Sequence, residues 1–259
     1  MSDFLKQGKE PLFPKILWNR PINKRAAKRL LIIGGQAKQF QQTQNTYQAA
    51  LDAGIGSAKV VLPDAIRTYT GDLPDCLFVP STRAGSIAKS ALEPIRAFCN
   101  ESDGVLLAGE LSRNAQTLSL LESLLDELTL PVTITEEVID SLLYRPQALF
   151  SGSGRLLIAG IPTLVKLAEK LQVEIEITSA SSLINQIELL DKLSFAYPAN
   201  YAAPGRGLIV KSNGQTSVTQ TETSDPARIA AYLATYWLQH RDSFQALTSG
   251  AHALTHDSD

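Results

Sequence analysis

The chain has 259 residues, 44% of them hydrophobic, with 24 basic and 26 acidic side chains and a net charge of −2. That length and apolar content fill a large core, and the charge balance offers no overall basic surplus for nucleic acid, although local basic patches stay open. No apolar stretch approaches the ~18 residues that span a bilayer, and the opening segment lacks the apolar core of a signal peptide, so no membrane partner and a cytoplasmic location are expected.

Residues 1–28 are polar and carry Pro11, Pro14, Pro21 and the basic cluster Asn23-Lys24-Arg25-Ala26-Ala27-Lys28. They read as an irregular arm with one short apolar anchor, Ile16-Leu17-Trp18. Arg29-Leu30-Leu31-Ile32-Ile33 then runs into Gly34-Gly35. A polar, flexible stretch at 36–46, a helical run at 47–56 and an apolar strand at 59–62 complete a βαβ unit. A glycine turn after a first parallel strand lets a ligand come close to the backbone, which makes Gly34 and Gly35 candidate nucleotide-contact residues.

Further strands are expected at 76–79, 104–108, 131–134, 155–159 and 173–178, with a last pair flanking Ser212-Asn213-Gly214. Asn-Gly is the chemistry of a tight hairpin. Helical runs fall at 85–100, 114–128, 164–171, 180–191 and 226–239. Strands alternating with helices imply a largely parallel sheet covered on both faces. Residues 248–259 read as a flexible tail, and no linker splits the chain, so 1–259 reads as one domain.

Two more loops carry candidate chemistry. Gly109, in Ala108-Gly109-Glu110-Leu111-Ser112, sits where a strand should end, and amides at the following helix start would suit an anion or merely close a βα loop. Thr223-Ser224-Asp225-Pro226 places a carboxylate at a helix start, where Asp225 is either a cap or a base beside an anion site. Thr135-Glu136-Glu137 pairs two acids after a strand, as metal ligands or as a solvated helix start. Cys76 and Cys99 lack metal spacing and read as reduced thiols, and His240, His252 and His256 read as surface groups.

In this order the pieces resemble the ribokinase-like fold, a three-layer αβα α/β architecture with a mainly parallel sheet. Within it they resemble the ADP- or ATP-dependent NAD(P)H-hydrate dehydratases, over residues 20–240. The resemblance rests on Lys24, on Leu31-Ile32-Ile33-Gly34-Gly35, on Ala49-Ala50-Leu51-Asp52-Ala53-Gly54-Ile55-Gly56, and on the segment from Asp103 to Arg113. It implies a lyase that uses ADP or ATP, with magnesium as an accompanying ion, to dehydrate NAD(P)H hydrate or a related small molecule. The resemblance makes Asp225 the catalytic base and places Gly34, Gly35, Gly109, Thr223 and Ser224 against the nucleotide. The alternatives are an inactive nucleotide-binding protein or a small-molecule kinase of the same fold; a homo-oligomer stays open. The family's glycine-threonine-glycine-aspartate run is Glu222-Thr223-Ser224-Asp225 here, and its second glycine loop keeps only Gly109 and Leu111. Glu222 adds a negative charge where the family binds an anion.

Overall fold

The structure, a computed structural model, describes residues 4–175, 182–221 and 223–256, without the side chain of His256. In chain order its elements are β1 (Leu5–Gln7), α1 (Pro14–Trp18), β2 (Arg29–Ile33), α2 (Gln41–Asp52), β3 (Ser57–Pro63), α3 (Arg67–Thr70) and β4 (Cys76–Val79). There follow α4 (Leu92–Asn100), β5 (Gly104–Leu107), α5 (Ala115–Glu127), β6 (Val132–Thr135), α6 (Glu136–Ser141), β7 (Arg155–Ile158) and α7 (Ile161–Lys170). The last are α8 (Leu183–Ala196), β8 (Asn200–Pro204), β9 (Leu208–Ser212), β10 (Gln215–Thr219), α9 (Pro226–Gln239) and α10 (Ser243–His256).

Among the described residues, ten strands form one sheet in the order β1-β10-β9-β8-β7-β6-β5-β2-β3-β4, in which only β9 runs against its neighbours. The period-2 pattern of β2 explains the layers. Leu31 and Ile33 enter a core shared with α4, α5, α7 and α8, while Leu30 and Ile32 enter a second core shared with α2, α9 and α10. Each fully buried Leu or Ile contributes about 1.5–3 kcal/mol. The expected mainly parallel sheet with helices on both faces is therefore what forms. The Asn213-Gly214 turn joins β9 to β10 with φ of 48° and 76°, left-handed at both residues as a tight hairpin needs.

Several local expectations are corrected. α2 begins at Gln41, inside the stretch read as flexible. The run at 85–100 becomes α only from Leu92, because Ser81 and Ile87 bridge first. Of the strand expected at 173–178, residues 173–175 are not extended in the sheet and 176–178 lie outside the described residues. That place belongs to β8, whose Asn-Tyr-Ala-Ala-Pro sequence has little strand preference and is held by β7 and β9. α8 starts at Leu183, where Ser182 Oγ accepts from Asn185 N at 3.1 Å; 180–181 lie outside the described residues.

The described parts of the expected irregular arm and flexible tail form regular elements. β1 adds to β10, and buried Gln7 Nε2 donates to Thr219 Oγ1 (2.9 Å) and to the Thr248 carbonyl (2.8 Å). The segment read as a flexible tail is α10 through His256, with Ala251 and Leu254 fully buried and Thr248 Oγ1 bonded to Ser217 Oγ at 2.8 Å; 257–259 lie outside the described residues. His252 is buried and His240 is half-buried, with burial lowering the His240 pKa, so these two are not surface groups. Cys76 and Cys99 are free thiols, and burial pushes the Cys99 pKa up to about 11.

The turn at 23–28 is fastened onto the start of β3. Gly56 N donates to Ala27 O (2.8 Å) and Ser57 N to Lys28 O (3.1 Å). A Cβ on Gly56 would overlap the backbone carbonyl of Lys24. Gly56→Ala is expected to cost about 2 kcal/mol, since a backbone neighbour cannot rotate away. Urea denaturation checks this, and an unchanged midpoint would show that the turn gives way freely.

Candidate functional site

The chain runs from β2 outward to β3 and β4, then returns to the other side of β2 with β5. The two loops at that reversal are those after β2 and β5, and a crevice outside the strand ends at such a point is where open α/β sheets bind ligands. The loops touch: Gly35 N donates to Gly109 O (3.3 Å), and Ala108 N to Ile33 O (2.9 Å). Gly34, Gly35 and Gly109 are therefore brought together.

What the glycines admit here is protein. A Cβ on Gly34 would lie 2.6 Å from Thr43 Oγ1, and one on Gly109 would lie 2.5 Å from both Gln42 Oε1 and Glu137 Oε2. Missing side chains thus let the first turn of α2 press against both loops. Glu110 completes the join. It holds a left-handed φ of 65°, and its Oε2 accepts from Gln42 N (3.1 Å) and Thr43 N (3.4 Å). A side chain from the β5 loop thereby caps α2, whose own preceding residue, Phe40, has no capping oxygen. Glu110 N in turn donates to Glu137 Oε2 at 2.5 Å. Glu136 ties the next loop, accepting from Gly160 N (3.2 Å) and Thr163 Oγ1 (2.6 Å) at the start of α7. The acids after β6 are braces between loops, and no group of three His, Cys, Asp or Glu among the described residues could hold a metal.

Glu110→Ala is expected to destabilise the fold by about 1–2 kcal/mol. Alanine carries the same left-handed penalty as glutamate, so the difference isolates the lost cap. Guanidinium denaturation measures it, and wild-type stability in the variant would show that water caps α2 equally well.

α9 positions Asp225. Its C-terminal end is pinned at the N-terminal edge of the strands, where Gln239 Nε2 donates to Ala27 O (3.1 Å) and Gly54 O (2.8 Å). It packs along α2, β5 and β6. Its 14 residues span about 21 Å, which carries Asp225 to the edge that holds the glycine loops. Asp225 is the N-cap, its Oδ1 accepting from Ala227 N at 2.9 Å. Pro226 has no amide hydrogen, and the Thr223 amide is taken by Thr221 Oγ1 (3.1 Å). Among the described residues, the Ser224 and Asp225 amides have no hydrogen-bond partner. Glu222, the charge expected beside them, lies outside the described residues. Asn114, in the β5 loop, caps α5 by accepting from Thr117 N at 3.0 Å, so that helix start is closed by its own side chain.

Sequence reasoning placed Glu136 and Glu137 at a helix start, which α6 is, but missed their bracing role and missed Glu110, Gln42 and Thr43 as parts that assemble this edge. The available signal was the position of the three acids, each within three residues of the end of β5 or β6.

Known proteins of the same architecture exist. A ribokinase-like superfamily protein from Enterococcus faecalis V583 superposes with a TM-score of 0.71 at 14% identity, over 96% of this chain and 86% of that one. The fold is ribokinase-like. An ADP/ATP-dependent NAD(P)H-hydrate dehydratase from Bacillus subtilis, co-crystallized with ATP/Mg2+, superposes at 0.62 with 10% identity, over 95% of this chain and 87% of that one. Ribokinase from Cryptococcus neoformans var. grubii serotype A, in complex with ADP, superposes at 0.57 with 12% identity, over 88% and 92%. In sequence, the ribokinase-like chain is 25% identical over 138 residues to the bifunctional NAD(P)H-hydrate repair enzyme Nnr of Moorella thermoacetica. That alignment covers 52% of this chain and 26% of the relative, so the chain spans about a quarter of the relative it matches. No protein-family model matches the chain. The chain resembles the NAD(P)H-hydrate dehydratases, and no helix among its described residues is long and apolar enough to cross a membrane.

Proposed function

We propose that the chain is a nucleotide-dependent NAD(P)H-hydrate dehydratase that works at the C-terminal edge of its sheet, in the cytoplasm. The observation that carries this reading is Asp225, which caps α9 on the same edge as the glycine loops. The relatives named for ATP, ADP and hydrate repair support the ligand class. ADP or ATP, when bound, would give a phosphoryl group to the hydroxyl of the hydrated ring and leave as AMP or ADP; phosphate would then depart with the C–O electron pair while the adjacent ring carbon loses a proton to water, restoring the double bond. The Asp225 carboxylate accepts the proton of that hydroxyl. The Ser224 and Asp225 amides at the start of α9 face the phosphoryl oxygens, where the helix dipole favours negative charge. Gly34, Gly35 and Gly109 join the β2 and β5 loops on that edge, their bare faces filled by α2, Leu62 and Glu137. No group of three His, Cys, Asp or Glu among the described residues could hold magnesium by side chains alone.

A second reading is an inactive nucleotide-binding protein. It is favoured by Glu110, whose carboxylate already occupies the amides at the start of α2 and puts negative charge on the same edge. Mixing the full chain with hydrated NADH and ADP or ATP decides between them. Recovery of reduced-nicotinamide absorbance with release of phosphate supports the dehydratase. Phosphorylation without loss of water makes the chain a kinase. A nucleotide-dependent thermal shift without either reaction, worth about 2.7 kcal/mol at about a hundredfold the Kd, leaves the inactive binder.

A further inference from the structure

The chain is nearly neutral, yet residues 11–51 contain seven cations (Lys15, Arg20, Lys24, Arg25, Lys28, Arg29 and Lys38) and no acid. Four of the seven converge. Lys24, Arg25, Lys28 and Arg29 line a cavity of about 540 Å³ together with Ser57 and Asp103. The cavity opens at the N-terminal edge of β2 and β3, one strand length away from the glycine loops, about 17 Å for the five residues of β2.

One lining carboxylate, Asp103, offsets that charge only in part. Asp103 is committed to Arg29, accepting from Arg29 N (2.9 Å) and Nε (3.1 Å). Burial raises the Asp103 pKa, but those bonds and the Arg29 and Lys28 charges outweigh it, and the carboxyl stays below its ordinary range. Among the described residues, Lys24, Arg25 and Lys28 are in no ion pair. Four cations against one carboxylate leave +3 around one void.

The backbone beneath is held in place. Asn23 Oδ1 accepts from Ala26 N (2.9 Å), the Asn23 carbonyl from Ala27 N (3.0 Å), and Ala27 O receives both Gly56 N and Gln239 Nε2. Lys28 is kept in a left-handed conformation with φ of 69°, a cost that persists only where surrounding bonds impose it. Like charges gathered around a concave space attract a compact, multiply charged anion, and an extended strand would need a track of cations instead. We propose that this cavity binds a polyphosphate group, with Lys24, Arg25 and Lys28 pairing its oxygens and Ser57 Oγ adding a hydrogen bond. It is separate from the site assigned to Asp225 and does not depend on that reading.

Calorimetric titration of inorganic tripolyphosphate into the full chain at fixed ionic strength tests this. Saturable binding is expected, weakened about tenfold or more by the Lys24→Ala/Arg25→Ala double variant, since each lost charged contact is worth roughly 1.4 kcal/mol or more. Lys38→Ala, a cation of the same segment but beyond the glycine turn at the opposite edge, should bind as wild type does. Ser57→Glu, at an exposed strand start, leaves the 23–28 turn unaltered and decides the matter if the double variant does not fold; it too should weaken binding about tenfold. The proposal is overturned by absence of wild-type binding, by equal loss in Lys38→Ala, or by sulfate binding as tightly as tripolyphosphate. Tighter capture of duplex DNA or of phosphatidylserine vesicles through Lys24 and Arg25 also overturns it, because the cations would then serve an extended surface.

Discussion

Asp225→Asn is expected to keep its melting temperature and lose about 10² to 10⁴ in the rate of hydrate dehydration. The two halves of that expectation come from different atoms. Capping needs an oxygen that accepts from Ala227 N, which the asparagine carbonyl supplies equally well. Taking a proton from a hydroxyl needs a carboxylate, which asparagine lacks. The rate is followed by the return of reduced-nicotinamide absorbance, and stability by thermal denaturation of the same preparation. Equal rates in the two proteins would remove Asp225 from the chemistry and leave it a helix cap. A drop in both rate and stability would point to a distorted start of α9, and Asp225→Ser, a good cap with no carboxylate, would separate the two effects.

The second large effect is structural. Arg155→Met is expected to cost about 3–5 kcal/mol, enough to lower the melting temperature by on the order of 10 °C in a chain of this size. Arg155 is 3% exposed, at the start of β7. Burial pulls its pKa down to about 10, which still leaves it charged at neutral pH. Its guanidinium donates to five carbonyls, those of Leu125 (2.9 Å), Leu128 (3.2 Å), Leu130 (3.4 Å), Ser153 (2.9 Å) and Ser151. Leu125 belongs to the last turn of α5, and Leu128 is its C-cap, so the cation also meets the negative end of the helix dipole. Methionine fills similar volume but donates nothing, and the buried carbonyls lose their partner. Arg155→Lys should recover part of the loss by restoring charge without the planar fork. A methionine variant within about 1 kcal/mol of wild type would mean that water reaches these carbonyls.

How much of this was legible in the sequence depends on where each signal resides. Gly34, Gly35 and Gly109 could be read as strand-ending turns, because a glycine after an apolar run is a local feature. That they meet one another, and that their bare faces receive Thr43, Gln42 and Glu137, required the return of β5 to the side of β2. Asp225 was legible as a cap from Ser-Asp-Pro alone, whereas its place on the glycine edge depends on the length and anchoring of α9.

The apolar periods of the sequence by themselves determined the class of fold, since alternating strands and helices can bury both faces of a sheet in few ways. They determined most of the parallel strands and the hairpin at Asn213-Gly214. Only the tertiary structure decided the elements whose own sequence is indifferent. Gln41-Gln42-Thr43-Gln44-Asn45-Thr46 is helical because Glu110, 67 residues beyond Thr43, caps it. Asn200–Pro204 is a strand because β7 and β9 flank it. The C-terminal segment is a buried helix because β9, β10, α1 and α9 leave an apolar surface that it covers. In each case the deciding partner lies far along the chain, and its contribution of a few kcal/mol exceeds the tenths of a kcal/mol per residue by which local preference differs.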